Sequence, residues 1–410
     1  MPALWRKILP NDSLSGLQFF QLFRYGSVFL ISIILPRAGL LPDQVGLYEA
    51  FLFFAGVISY FWLTGLIQAL LPLASGSATT GNTKNKYQYP SGAFFNAFLL
   101  LLLFALLSSA ALLLASPLLG RLLGQVLPPD LIWLVILYLI LFAPSTLVEY
   151  WYVVTAQTKK LIGYGVIAFA LQILLVGAPV ILGTGVRGAI WGMIAAGSFR
   201  MVWLLVILIR QRNFHISWAF LKQYLYLGTP VILSMLLSGS AQYVNGFIIS
   251  AQFDTATFAI FRYGARELPL VAILANALSN AAVPIINRDG LLPGLQQLRE
   301  RSSRMASWMF PLTILLLLMS YFLFPLVYGR NFLESAGVFN LFLLLITSRL
   351  LFPQTVLLAL KKTRILMIAS FFELIVNVGL CLLLVHLWGI RGVALATVIA
   401  YYFERAFLMT

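Results

Sequence analysis

Long apolar runs alternate with short polar connections along almost the whole chain. Twelve runs can be read, at roughly 17–36, 44–72, 91–116, 131–156, 162–183, 188–210, 226–250, 256–286, 305–326, 336–359, 365–387 and 391–410. A run of about 20 residues, rising 1.5 Å per residue in a helix, crosses the ~30 Å hydrocarbon core of a bilayer. A membrane barrel would instead show short segments of strict alternation. The two longest runs predict tilt, a kink or an extension beyond the bilayer. Some polar segments look like helices on the membrane surface. "RDGLLPGLQQLRERSSR" (288–304) has a basic amphipathic pattern, and "SWAFLKQYLYLGTP" (217–230) leads into the seventh run.

Composition agrees with this pattern. The 410 residues are 61% hydrophobic and only 10% charged, with a mean hydropathy of +0.96. Soluble domains are about 45–50% apolar and about 25% charged. The expected fold class is therefore an all-α polytopic membrane protein with about 12 transmembrane helices. Its single cysteine, Cys381, reads as a small buried hydrophobe, and the two histidines, His215 and His386, are far apart, so no metal site is expected. The opening "MPALWRKILPNDSLSGLQFF" lacks the apolar core and small-residue cleavage site of a signal peptide and reads as a cytoplasmic lead-in.

Charge changes the picture by fixing orientation. Arg6, Lys7, Lys84, Lys86, Lys159, Lys160, Arg210, Arg212, Lys222, Arg288, Arg299, Arg301, Arg304, Lys361, Lys362 and Arg364 fall in connections on one side. Only Arg37, Arg121, Arg187, Arg330 and Arg391 fall on the other, an excess of about three to one. The basic side is cytoplasmic by the positive-inside rule, so both termini are expected there. The net charge of +15 follows largely from these connections and suits contact with anionic lipid. No soluble basic domain exists to bind nucleic acid.

The two halves repeat. "KKLIGYGVIAFALQILLVGAPVILGTGVRGAIWGMIAA" begins at Lys159, and "KKTRILMIASFFELIVNVGLCLLLVHLWGIRGVALATVIA" begins at Lys361. Each passes from a Lys-Lys pair through one apolar run into Gly-Val/Ile-Arg-Gly and then another run. The second and eighth runs both follow an aspartate, Asp43 and Asp254, and end on Pro72 and Pro284. Six spans per copy keep the copies in the same orientation. The expected domains are 1–212 and 213–410, two six-helix bundles in parallel repeat around a central cavity.

Charges inside the runs mark where that cavity would be. Arg24, Arg200, Arg262, Arg266, Arg349 and Arg405 fall within spans, with Glu49, Glu149, Glu267, Glu373 and Glu404. Each central charge costs ~2.5–3.5 kcal/mol on insertion scales, so such residues face a cavity or one another. In span 8, Arg262, Arg266, Pro269, Ile273, Asn276 and Asn280 recur at spacings of four and three, which places them on one helix face. Ser234, Ser238, Gln242 and Asn245 form a second stripe in span 7. Spans 1 and 2 add Gln18, Gln21, Arg24, Tyr25 and Ser32, and Glu49, Tyr60, Thr64 and Gln68. Arginine matches phosphate with paired donors and keeps its charge in a low-dielectric site, while Tyr, Asn, Gln and Ser suit sugar hydroxyls. Arg200 and Glu404 stand thirteen residues after Arg187 and Arg391 in their respective copies; a structural pair or a separate internal site fits them as well as substrate contact. Arg349, Glu149 and Glu373 lack a stripe and read as structural. "GTGVRG" (183–188) satisfies a dinucleotide fingerprint but sits in a turn between apolar runs with no preceding strand, so it implies no nucleotide. The sequon "NDS" at Asn11 lies on the cytoplasmic side. With no catalytic constellation and no Walker loop, neither an enzyme nor a cofactor is expected.

Several stretches resemble the polysaccharide flippases of the multidrug/oligosaccharidyl-lipid/polysaccharide (MOP) exporter superfamily. "LPRAGLLPDQVGLYEAF" (35–51) is similar to the family's junction of spans 1 and 2, with Arg37, Asp43, Gly46 and Tyr48 in place. "FLKQYLYLGTPVILSMLLSGSAQYVNGFIIS" (220–250) resembles the entry to span 7, with Gly228 and Pro230. "FAIFRYGAREL" (258–268) resembles the start of span 8. The resemblance implies a V-shaped two-bundle protein of the bacterial inner membrane. It would move a polyprenyl-diphosphate-linked oligosaccharide between leaflets by alternating access, for cell-surface polysaccharide biosynthesis. Lipid-linked oligosaccharide and membrane lipids are the implied partners, with polysaccharide polymerase and export proteins beside them. It further implies that Arg262 and Arg266 meet the diphosphate with Glu267 tuning them, and that Arg24, Gln242, Asn245, Asn276 and Asn280 line the cavity. Where many relatives carry an acidic-basic pair near the end of span 7, this chain has Asn245-Gly246, which leaves Glu49 as the substitute coupling carboxylate. Two alternatives stand: a sodium- or proton-coupled drug or metabolite antiporter of the same superfamily, and a non-transporting membrane partner in polysaccharide export.

Overall fold

The computed structural model describes residues 13–75, 92–123, 126–239, 241–266, 268–360 and 362–410. Their regular structure is helical throughout. The helices are α1 (Ser13–Arg37), α2 (Pro42–Ser75), α3 (Ala93–Leu123), α4 (Pro129–Ser145), α5 (Leu147–Val154), α6 (Thr158–Ile181), α7 (Gly185–Gln211) and α8 (Trp218–Gly239). They continue as α9 (Ala241–Gln252), α10 (Thr255–Gly264), α11 (Pro269–Asp289), α12 (Leu291–Tyr328), α13 (Ser335–Leu343), α14 (Leu345–Arg349), α15 (Pro353–Ala359) and α16 (Thr363–Met409). Nine candidate spans among the described residues are long and apolar enough to cross a membrane. The chain is an all-α, multi-pass membrane protein.

Differences from the expected spans have local causes. The eighth run is not one helix: α10 ends at Gly264, and Leu268 is extended (φ −67°, ψ 114°) ahead of Pro269. Proline at the first position of α11 disfavours a helical residue before it. Arg266 therefore lies in the break, and the expected stripe is split between two elements. The tenth run is likewise divided into α13, α14 and α15, with Pro353 opening the last. In the fourth run, Pro144 lies in the last turn of α4, and the hydroxyls of Ser145 and Thr146 donate to the carbonyls of Phe142 and Ala143, each at 2.7 Å. The amphipathic stretch 288–304 forms no separate surface helix beyond residue 290. It is the leading part of α12, which runs on into the ninth span without interruption.

The repeated Gly-Val/Ile-Arg-Gly turn shows why it needs two glycines. Gly185 has φ +69°, and Gly389 has φ +57° with ψ −137°, a conformation closed to side chains with a Cβ. Gly389 breaks α16 into two helical stretches. The second glycine permits close approach. A Cβ on Gly188 would stand 1.8 Å from Thr184 Oγ1, and one on Gly392 would stand 2.0 Å from the Leu384 carbonyl.

The helices pack into two compact units, Met1–Leu40 with Leu47–Leu236, and Leu41–Gly46 with Leu237–Thr410. In the first, Leu66, Leu70, Leu101, Leu147, Leu161 and Tyr224 are fully buried in one apolar cluster. Lipid is as apolar as leucine, so close packing and internal hydrogen bonds hold such helices together. Tyr224 of α8 donates to the Leu66 carbonyl of α2 at 2.9 Å. Asn96 of α3, fully buried, donates to the Gly92 and His215 carbonyls at 2.8 and 2.9 Å and accepts from the Ser217 amide at 2.9 Å. That clamp holds the segment leading into α8 against the start of α3. In the second unit, Ser335 Oγ donates to the Ile260 carbonyl at 2.8 Å, and Tyr263 stacks on Phe332 with centroids 4.7 Å apart.

Candidate functional site

The first unit brings three of its intramembrane charges, Arg24, Glu149 and Arg200, into one recess. Phe20 and Arg24 of α1, Phe142 and Ser145 of α4, Glu149 of α5, Tyr164 of α6 and Arg200 of α7 line it, around 260 Å³ of empty space. Arg200 is buried, and its Nη2 donates to Gln172 Oε1 at 2.6 Å. Its guanidinium carbon stands 4.8 Å from the Phe169 centroid and 5.8 Å from that of Phe142. Both aromatic faces stabilise a desolvated cation. Glu149 is buried too, and Arg24 and then Arg200 are the cations that act on it. Arg24 is half-buried beside Tyr25. Two cations against one carboxylate leave this recess with an excess of positive charge.

The second unit holds another basic recess. Arg266, Leu268 and Val271 form one wall, and Phe339, Ile346 and Arg349 are on the other, around 310 Å³ of empty space. Arg266 lies over the Tyr263 ring at 4.4 Å, and Arg349 is 5.8 Å from the centroid of Tyr401. Arg349 read as structural in the sequence, yet it shares this recess with Arg266. Arg262 is half-buried in the last turn of α10. Apolar walls with two guanidinium groups suit an anion attached to an apolar body, since the arginines offer fixed forked donors and the walls exclude water.

Other expected site residues fall elsewhere. Asn245 of α9 is buried, with Nδ2 donating to Thr397 Oγ1 at 2.7 Å and Oδ1 facing the Cys381 thiol at 3.5 Å. The same thiol points at Asn377 Oδ1 at 3.1 Å, so α9 and both stretches of α16 meet at a neutral polar knot. Glu49 is buried in α2. Asn276 and Asn280 lie on α11 and Gln242 on α9, but their side chains, and Glu267 altogether, lie outside the described residues.

A third cluster forms around Glu404, which the sequence offered as a structural pair or a separate internal site. Glu404, thirteen residues after Arg391, is buried and accepts from Gln354 Nε2 at 2.8 Å and Ser370 Oγ at 3.2 Å. Arg405 Nη1 is 4.0 Å from its second oxygen. Glu373 is buried beside them. The repeat position of Glu404 was the available signal. Its glutamine and serine partners come from α15 and the other stretch of α16, and no spacing rule links them.

No curated protein matched the chain. Solved structures do match. A lipid II flippase MurJ in an inward-closed conformation superposes with a TM-score of 0.70 at 16% identity, covering 95% of this chain and 86% of that one. An inward-facing multidrug resistance MATE transporter of the MOP superfamily gives 0.66 at 16% identity, over 96% of each chain. A MOP superfamily transporter from Pyrococcus furiosus gives 0.58 at 16% identity, over 97% of this chain and 92% of that one. At such identities the likeness establishes a shared fold. The profile of one sequence family, described as polysaccharide biosynthesis protein, matches residues 39–337. The chain therefore belongs to the polysaccharide biosynthesis protein family and has the fold of the MOP superfamily transporters.

Proposed function

We propose that the protein is a flippase that carries a polyprenyl-diphosphate-linked oligosaccharide from the cytoplasmic to the outer leaflet of a bacterial inner membrane by alternating access. The observation that supports this reading most is the pairing of guanidinium groups in recesses, Arg266 with Arg349 between apolar walls and Arg24 with Arg200 in a mixed polar and aromatic one. A diphosphate offers several anionic oxygens to such donors, and the prenyl tail stays in lipid while the head crosses. A cationic drug would meet like charge in both recesses, which disfavours the antiporter reading. In this proposal both termini are cytoplasmic, Arg262 and Arg266 meet the diphosphate, and Arg24 is a cation of the substrate path. Gln242, Asn276 and Asn280 belong to the glycan path, Asn245 instead serves the neutral knot with Thr397 and Cys381, Glu49 and Glu267 balance charge, and polymerase and export proteins work alongside.

Reconstituted vesicles carrying a labelled diphosphate-linked oligosaccharide lipid on one leaflet test it. A charge-assisted hydrogen bond contributes ~1.5–3 kcal/mol. If realised in the rate-limiting state, losing one slows flipping by about 10- to 100-fold. Arg262→Ala and Arg266→Ala are each expected to show that loss while remaining inserted and folded. Wild-type vesicles that flip no such lipid would overturn the function. Flipping that survives both substitutions would remove these arginines from it.

A further inference from the structure

The two stretches of α16, away from their break at Gly389, hold two buried carboxylates in very different surroundings. Glu404 is buried at 3% exposure and fully engaged: Gln354 and Ser370 donate to Oε1, and Arg405 approaches Oε2. Glu373 is nearly as buried, at 5%, and its Oε1 has no hydrogen-bond partner among the described residues. The charges that act on it are the Glu404 carboxylate first and then Arg405. Helices α9, α13, α14 and α15 pack on α16. Of these, α14 brings Arg349, α9 brings only Tyr243 among titratable groups, and α13 and α15 bring none. Tyr401 lies on α16 itself.

A carboxylate taken out of water costs several kcal/mol unless donors replace its hydration. Glu404 has those donors, and Glu373 Oε1 has none. Two carboxylates in one desolvated site do not ionise independently; the better-solvated one keeps the charge and its neighbour takes the proton. We propose that Glu373 binds and releases a proton within the membrane, and that it is the coupling site of the C-terminal unit.

The charge balance gives this proton a consequence. With Glu373 ionised, two carboxylates offset Arg405 and Arg349. With Glu373 protonated, one positive charge is left over. Arg349 acts electrostatically on Arg405 and also stands on the wall of the Arg266 recess. Protonation thus makes that recess more positive, and an anion bound there favours the proton in return, because coupling between two sites is reciprocal. This second step rests on the reading of the recess as a diphosphate site; the proton site itself does not.

The test separates the two. Difference infrared spectroscopy across a pH step reads the C=O stretch of a protonated carboxylic acid in purified wild type, Glu373→Gln, Glu373→Met and Glu404→Gln. Both Glu373 variants keep a neutral group of similar length, so size-exclusion profile and helicity should match wild type. The expected result is a titrating C=O band that both Glu373 variants lose and Glu404→Gln retains. A band that survives in the Glu373 variants, or that disappears in Glu404→Gln alone, overturns the proton site. Binding of polyprenyl diphosphate, measured at two pH values across that titration, then tests the coupling. Wild type should bind more weakly at the higher pH, and Glu373→Gln should bind equally at both. Equal binding by wild type overturns the coupling while leaving the infrared result intact.

Discussion

The bond between Arg200 and Gln172 decides whether the charge in the first unit serves the fold or the cargo. Consider Arg200→Met, which keeps much of the side-chain volume. It deprives Gln172 Oε1 of a donor at 2.6 Å and removes the cation 4.8 Å from the Phe169 ring. An orphaned buried acceptor costs ~1–3 kcal/mol and a desolvated cation–π contact contributes ~0.5–2 kcal/mol. Against this, Arg200 Nε is itself buried without a partner, so its removal recovers part of the loss. The net destabilisation is about 2 kcal/mol. Gln172→Leu leaves the guanidinium short of its acceptor and costs about the same. The double variant leaves no orphan, so it should be less destabilised than the sum of the singles by ~1.5–3 kcal/mol, the worth of a hydrogen bond to a charged group. Denaturant titration of the purified protein in detergent, followed by helicity, measures the cycle. Additivity within ~0.5 kcal/mol would refute the pairing. Flipping assayed on the double variant adds the functional answer: retained flipping makes Arg200 a packing residue, and its loss gives the guanidinium a role in transport.

Three further expectations follow from local geometry. Gly185→Ala and Gly389→Ala should each cost ~1–3 kcal/mol of stability in the same titration, purely through backbone conformation, since a Cβ at either position meets nothing within 4 Å. Asn96→Ala should remove the side-chain partner of the His215 carbonyl and the Ser217 amide, part-buried bonds whose loss costs ~0.5–1.5 kcal/mol each, and hydrogen exchange at Ser217 should accelerate. Asp254 caps α10 by accepting from the Thr257 amide at 2.8 Å, and bonding to Thr257 holds its carboxyl below the usual aspartate range. Its contribution is then complete above that ordinary range and fades as pH falls through the lowered value, whereas Asp254→Asn should show no such acid dependence.

The span pattern was legible because it depends on composition over about twenty residues, which a bilayer reads almost literally. The repeat was legible because Gly185 and Gly188, like Gly389 and Gly392, answer steric demands with one solution. Breaks were harder to read. The polar stripe from Arg262 to Asn280 assumed a continuous helix, and Pro269 alone signalled that it was not. Pairings were hardest. Arg200 and Gln172 are 28 positions apart, and Gln354 and Glu404 are 50 apart, so only the fold brings them together. Arg349 entered the Arg266 recess from a run whose division into α13, α14 and α15 no periodicity announced.

At one repeat position the two copies carry opposite charges, and a glutamine from a different helix in each, Gln172 of α6 and Gln354 of α15, meets the charge. Thirteen residues after the turn arginine, one copy has Arg200 and the other has Glu404. In the first, the glutamine accepts, Arg200 Nη2 to Gln172 Oε1. In the second, the glutamine donates, Gln354 Nε2 to Glu404 Oε1. An amide presents a donor at one end and an acceptor at the other, so it can satisfy a buried charge of either sign. Steric demands at the glycines left no such freedom. The sign of the charge is then constrained by the remaining neighbours alone. Arg200→Glu can still be met by Gln172 after an amide flip, but it sets a second carboxylate in the recess of Glu149. That variant should lose stability by more than Arg200→Met does, and Glu149→Gln in the same chain should recover most of the difference. Equal stability of Arg200→Glu and Arg200→Met would mean that Glu149 does not constrain the sign at this position.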